Sequence, residues 1–280
     1  MLGLKMFLVP LLLGLLTLSG RRLGAQVTGC LAGLPLVSGP ITLILALEQG
    51  AAFAAMAAVA TVTAVVAAAC FGLAYAHTAQ RHAWPWALAA GLSAWLTAAT
   101  AMAWWSPGLL TALVLALAAL SLALRCYPRL PVQPQHGNGP SRLALRMLAG
   151  ALLTLCVAEL ARQLGGTWSG LLALFPVLGG MLAVCSHRHS GPAFSAALLQ
   201  GMARGMLPLV GFFAMLALLL PQQTVAQAFG AALLVCMLLQ WVTIRSLGDG
   251  PYRRPRLVPT AAAHAGPGSR ATAAGPARSR

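Results

Sequence analysis

From its first residues to about residue 245 the chain is a succession of apolar runs, each about long enough to cross a bilayer. Nine can be drawn, over 3–19, 25–47, 51–76, 84–105, 108–125, 143–161, 167–186, 192–220 and 224–245. The hydrocarbon core is roughly 30 Å thick and is spanned by about 20 helical residues. No water reaches an unpaired N–H or C=O there, so only helices and closed barrels are viable. The Ala/Leu-rich runs lack the period-two alternation of a barrel strand. The fold class is therefore all-α integral membrane, with about nine transmembrane helices.

Composition agrees with that reading. Charged residues make up 8% of the chain and mean hydropathy is +0.83, against about 25% charged residues in soluble domains. The net charge of +15 raises nucleic-acid binding, but the arginines lie between apolar runs and in the tail, as in orientation signals rather than a nucleic-acid footprint. The cysteines are scattered singly with no CxxC pair, and Cys30, Cys70, Cys156, Cys185 and Cys236 read as small buried hydrophobes.

The first run, preceded by Lys5, has the outline of a signal peptide, but no A-x-A-like cleavage site follows it. It is expected to stay as a helix. With nine helices and a cytoplasmic C-terminus, fifteen of the 18 Lys and Arg residues fall on the cytoplasmic side. Lys5 and Arg162 fall outside, and Arg204 lies within a run. Splitting 192–220 into two helices would destroy this asymmetry, so the positive-inside rule selects nine. The expected setting is a bacterial inner membrane, with a periplasmic N-terminus.

Internal repetition adds more. Shifting the chain by 141 residues superposes Leu23-Gly24, Gly29, Leu31-Ala32, Pro35 and Gly39 on Leu164-Gly165, Gly170, Leu172-Ala173, Pro176 and Gly180. Between residues 23 and 55, 11 of 33 positions are identical, where composition alone would give roughly four. The register continues through Gly50/Gly191 and Phe53/Phe194, and 84–105 lands on 225–246. Five helix steps separate partners, and five is odd, so matching helices should cross in opposite directions. The expected organisation is a 4+1+4 inverted repeat: a first unit over 1–106, a connector helix and Pro/Gly-rich linker over 107–141, a second unit over 142–245, and a disordered basic tail over 246–280.

Inverted repeats are common in secondary transporters, whose sites lie where paired helices are broken near mid-membrane. Pro35, Ser38, Gly39 and Pro40 interrupt one run, and Pro176, Gly179 and Gly180 interrupt its partner. Proline removes a donor and leaves carbonyls free for a ligand. The alternative is packing alone, since Pro and Gly are frequent in membrane helices, and Gly29-x3-Gly33 and Gly201-x3-Gly205 fit close helix contacts. Arg204 is either a contact for an anionic solute or a side chain that snorkels toward lipid phosphate. Glu159 is expected to pair with Arg162 on one helix face. Glu48 is expected to be solvated, and His187-Arg188-His189 to form a basic cytoplasmic turn rather than a metal site.

Each half resembles the GlpM-type family of small four-helix inner-membrane proteins. The second half carries the likeness in Leu160-Ala161-Arg162, Ser169-Gly170-Leu171-Leu172-Ala173-Leu174-Phe175-Pro176 and Ser190-Gly191. The first half repeats it as Thr28-Gly29-Cys30-Leu31-Ala32-Gly33-Leu34-Pro35 and Glu48-Gln49-Gly50. It covers about 100 residues per half and omits the connector and the tail. That family is loosely tied to exopolysaccharide (alginate) production and has no settled activity, so the resemblance implies an architecture.

No nucleophile elbow, zinc-binding helix motif or P-loop occurs, and three acids in the whole chain leave few candidates for acid–base chemistry. An enzyme and a bound cofactor or metal are not expected. The leading expectation is a small-solute secondary transporter or permease, with its pathway between the units at Pro35, Ser38, Gly39, Pro176, Gly179, Gly180 and Arg204. The other is a non-transporting scaffold for envelope or exopolysaccharide synthesis. The expected partners are the lipid bilayer, a small solute and a second copy of the chain, and no nucleic acid. Ser38, Thr42 and Thr63 would line a transporter's cleft, whereas a scaffold would be dry there.

Overall fold

The computed structural model describes residues 25–36, 38–128 and 176–248. The runs expected at 3–19 and 143–161, most of the linker, Glu159, Arg162 and the tail beyond Gly248 lie outside the described residues. Those residues form seven helices and no strand. They are α1 (Ala25–Ala32), α2 (Ser38–Gln49), α3 (Ala51–Thr78), α4 (Trp84–Trp105), α5 (Leu109–Cys126), α6 (Val177–Leu219) and α7 (Val225–Gly248). Five of the helices are long and apolar enough to cross a membrane. The protein is a helical, membrane-embedded one.

The boundaries follow local chemistry. The run expected over 25–47 is two helices, because Gly33-Leu34-Pro35 halts α1 and α2 restarts with the Gly39 N–H donating to the Pro35 carbonyl at 2.9 Å. Gly50 has φ 91° and separates α2 from α3. Pro85 occupies the first turn of α4, where its missing donor costs nothing, and Ser106 in the left-handed region ends that helix. α6 is bent at Gly191, φ 83° and ψ 173°, with Pro192 opening its second arm.

The expected turn at His187-Arg188-His189 is helical instead. The polar tripeptide keeps its place in the first arm of α6 because its side chains find partners, and the break waits for the positive φ at Gly191.

Under a 141-residue shift some of these boundaries coincide. Gly50 and Gly191 share a conformation, with ψ 163° and 173°, α3 maps onto 192–219, and Trp84–Trp105 maps onto the apolar span Val225–Ser246. Directions can be read from contacts. His77 Nε2 lies 2.9 Å from the Cys126 carbonyl, and the Arg188 guanidinium sits 5.6 Å from the Trp84 ring centre. The ends of α3 and α5, the start of α4 and the Gly191 bend therefore share one end of the bundle. From there the second arm of α6 runs back, antiparallel to α3, and the short turn after Leu219 reverses the chain into α7. Among the described residues, Arg81, Arg125, Arg188 and Arg245 lie toward that end, while Glu48 lies at the other.

α3 and α6 are the central pair. Each has 61% of its apolar window buried, against 22% for α4 and α5 and 28% for α7. The outer helices bury one stripe each at helical spacing. In α4 it is Ala87, Gly91, Trp95 and Ala99, and in α5 it is Ala112, Ala116, Leu120 and Ala123. Their other faces carry exposed Leu110, Val114 and Trp104 on α5 and α4, and Leu234, Met237 and Leu238 on α7, as lipid contact requires.

Candidate functional site

Two glycine pairs set the closest approach in the bundle. Gly29-x3-Gly33 on α1 faces Gly201-x3-Gly205 on α6, which lets the two backbones touch. A Cβ at Gly29 would overlap the Leu198 carbonyl oxygen, one at Gly201 the Gln26 carbonyl oxygen, and one at Gly205 the Cys30 carbonyl oxygen. A Cβ at Gly33 would stand 2.7 Å from the Gly205 carbonyl carbon. The packing expectation holds for these pairs.

That approach brings polar side chains of three helices together. Gln26 Nε2 donates to Gln200 Oε1 at 3.0 Å, and Arg204 Nη1 donates to Gln26 Oε1 at 3.0 Å. Gln26 and Cys30 are four apart on α1, and Gln200 and Arg204 are four apart on α6, so each pair shares a face. One turn further along, buried Gln240 of α7 meets the buried Cys30 thiol, with Gln240 Nε2 3.5 Å from Sγ. Pro208 lies inside α6 four residues after Arg204, so the Arg204 carbonyl loses its helical donor. Arg204 is half-buried near the middle of the arm 192–219, turned toward α1.

The paired breaks converge near the same seam. Gly39, buried in α2, has its Cβ direction 3.6 Å from Phe212 Cζ, and Gly180 has its own 3.6 Å from Phe71 Cζ. Gly39 and Gly180 are 141 residues apart, and so are Phe71 and Phe212. The same contact is thus made twice, each time between a broken segment of one half and the long helix of the other. Pro35 and Pro176 mark matching places, their carbonyls accepting from the N–H groups of Gly39 and Gly180 at 2.9 and 2.7 Å. Gly179 has its Cβ direction 2.8 Å from Met202 Cε, and Gly33, where α1 halts, has its own 2.5 Å from the Met202 carbonyl oxygen. Both breaks therefore abut the segment around Met202.

The hydroxyls expected to line a cleft bond within their own helices. Thr42 Oγ1 donates to the Ser38 carbonyl at 2.9 Å and Thr63 Oγ1 to the Val59 carbonyl at 3.0 Å. Ser38 is half-buried. Glu48 is exposed in the last turn of α2. At the basic end, Tyr75 OH lies 3.3 Å from His187 Nδ1, with the rings edge to face. Tyr127 lies just past α5 with its hydroxyl against Gly72, and burial pushes its phenol well above the ordinary range, so it stays protonated. Among the described residues no group of three His, Cys, Asp or Glu side chains could hold a metal ion.

The sequence reading singled out Arg204 but neither the glutamines nor Phe71 and Phe212. The phenylalanines were legible, since the 141-residue shift that pairs Phe53 with Phe194 also pairs Phe71 with Phe212. No family model, curated protein or solved structure matches this chain.

Proposed function

We propose that the chain is an inverted-repeat permease for a small solute, its pathway running between the two halves past the paired breaks. The observation that carries this reading is the exchanged contact of Gly39 with Phe212 and of Gly180 with Phe71. Such exchange is what a pseudo-two-fold axis in the membrane plane produces, and transporter sites lie at that axis. The opposed directions of α3 and the arm 192–219, and the shared Gly50/Gly191 geometry, support the same symmetry. A 4+1+4 arrangement of nine helices completes it, with one copy of the GlpM-like unit in each half. The arginine-bearing end faces the cytoplasm of a bacterial inner membrane, which puts the C-terminus inside and the N-terminus in the periplasm.

A scaffold for envelope polysaccharide synthesis is the second reading. Phenylalanine rings fill the crossing, and the Thr42 and Thr63 hydroxyls turn back on their own helices, as dry packing requires. Swelling of proteoliposomes in iso-osmotic solutes separates the two. The permease swells faster than empty vesicles in at least one of glycerol, ammonium formate, ammonium acetate or ammonium lactate. Swelling at the empty-vesicle rate in every solute favours the scaffold.

A further inference from the structure

We propose that the bend at Gly50 is the molecule's working hinge, with α2 as its moving arm, while Ser195 latches the sister bend at Gly191. As the gate of a permease this rests on the reading above; as a hinge it does not.

The chain carries two copies of one device. In each half a short helical arm leads into a glycine of positive φ, after which a long central helix begins. The arm α2 leads into Gly50 and α3, and the arm 177–190 leads into Gly191 and 192–219. Neither glycine has any atom within 4 Å of where a Cβ would stand. Both bends are sterically free to turn, and a few such residues suffice for hinge motion. What differs is how each arm is held.

In the second half the arm is tied back three times. The fully buried Ser195, four residues past the bend, donates its hydroxyl to the Ala183 carbonyl, eight residues before it, at 2.9 Å. His187 Nδ1 meets the Tyr75 hydroxyl of α3 at 3.3 Å, and Arg188 lies over the Trp84 ring of α4. The 141-residue shift maps these pairs onto Ala54 and Thr42, Ala46 and Leu216, and Leu47 and Val225. Ala54 has no hydroxyl to offer the Thr42 carbonyl, and the other four side chains are apolar. Thr42 Oγ1 turns back to the Ser38 carbonyl, and among the described residues no α2 side chain hydrogen-bonds another helix.

The solvent makes this difference count. α2 rests on buried Gly39, Thr42 and Ala46, and lipid tails can replace apolar contacts of that kind. They cannot replace a hydroxyl–carbonyl bond. A freed Ser195 can still bond within its own helix, so the latch is modest, worth about three- to tenfold in the opening equilibrium.

The test is hydrogen exchange of the full chain in nanodiscs, with each amide corrected for its intrinsic rate. Residues 38–49 should exchange roughly tenfold or more faster than 177–190, since three ties are missing. Ser195→Ala should speed 177–190 about three- to tenfold and leave 38–49 unchanged. Ala54→Ser supplies the Thr42 carbonyl with its missing donor and should slow 38–49 by a similar factor. Should Ser195→Ala fail to fold, Ala54→Ser decides alone. Equal exchange of the two arms in the wild type, an unchanged 177–190 in Ser195→Ala, or an unslowed 38–49 in Ala54→Ser overturns the proposal. Vesicle swelling slowed in Ala54→Ser makes α2 the gate. Unslowed swelling keeps the hinge and removes the gate, and no swelling in the wild type removes the permease while the exchange result stands.

Discussion

The contact between α1 and α6 is made backbone to backbone, and a single methyl group should force it open. In Gly205→Ala the new Cβ would point into the Cys30 carbonyl, with the Cys30 carbonyl carbon only 2.8 Å away. Ordinary van der Waals contact needs about 3.4–4 Å, so α1 must move by roughly 0.6 Å or more, and no flexible side chain can yield in its place. Overpacking of this kind costs about 1–3 kcal/mol. The same displacement acts on the 3.0 Å Arg204–Gln26 hydrogen bond one turn away. Gly230→Ala supplies the control, because a Cβ there meets nothing within 4 Å. It should be neutral, or stabilising by up to about 1 kcal/mol, as Ala replaces Gly in a helix. Both variants can be unfolded reversibly in mixed micelles and followed by tryptophan fluorescence. Gly205→Ala as stable as Gly230→Ala would refute the close-contact account of the seam.

Gly50→Ala and Gly191→Ala should each cost about 1–3 kcal/mol, since φ of 91° and 83° suits glycine and open space around both leaves strain as the only cause; matching midpoint losses in the two variants would check this. Phe71→Ala and Phe212→Ala each remove a buried ring and should cost about 3–5 kcal/mol apiece; a large loss in one and none in the other would break the equivalence of the exchanged contacts. Arg245→Leu removes a guanidinium 3.7 Å from the exposed Trp241 ring and should change stability by about 1 kcal/mol at most; a larger loss by the same unfolding measurement would show that this end of α7 is not surface.

How much of this was legible beforehand differs by feature. Helices α3, α4, α5 and α7 were read to within a few residues, because hydrocarbon leaves little choice about what an apolar run of that length becomes. The broken segment at Pro35 was legible too, since proline cannot donate and the Gly33-Leu34-Pro35 stretch has no other way to continue. The helical path through His187 was not. A polar tripeptide in an apolar chain reads as a turn until Tyr75 and Trp84 are seen beside it, and both are distant in sequence. Arg204 stood out as an isolated charge, whereas Gln26, Gln200 and Gln240 look like ordinary polar residues until the glycine pairs bring three helices together. Interhelical pairing is long-range information that spacing along one helix does not hold.

The central claim is that matching helices of the two halves cross the membrane in opposite directions. His82 and Gln223 are 141 residues apart, both exposed, and lie in the turns after α3 and after its counterpart arm. Each is changed to cysteine in a chain lacking Cys30, Cys70, Cys126, Cys156, Cys185 and Cys236, and labelled in intact cells with a membrane-impermeant maleimide. The inverted arrangement predicts labelling of Gln223→Cys from outside and of His82→Cys only after permeabilisation. Labelling of both from the same side would contradict it.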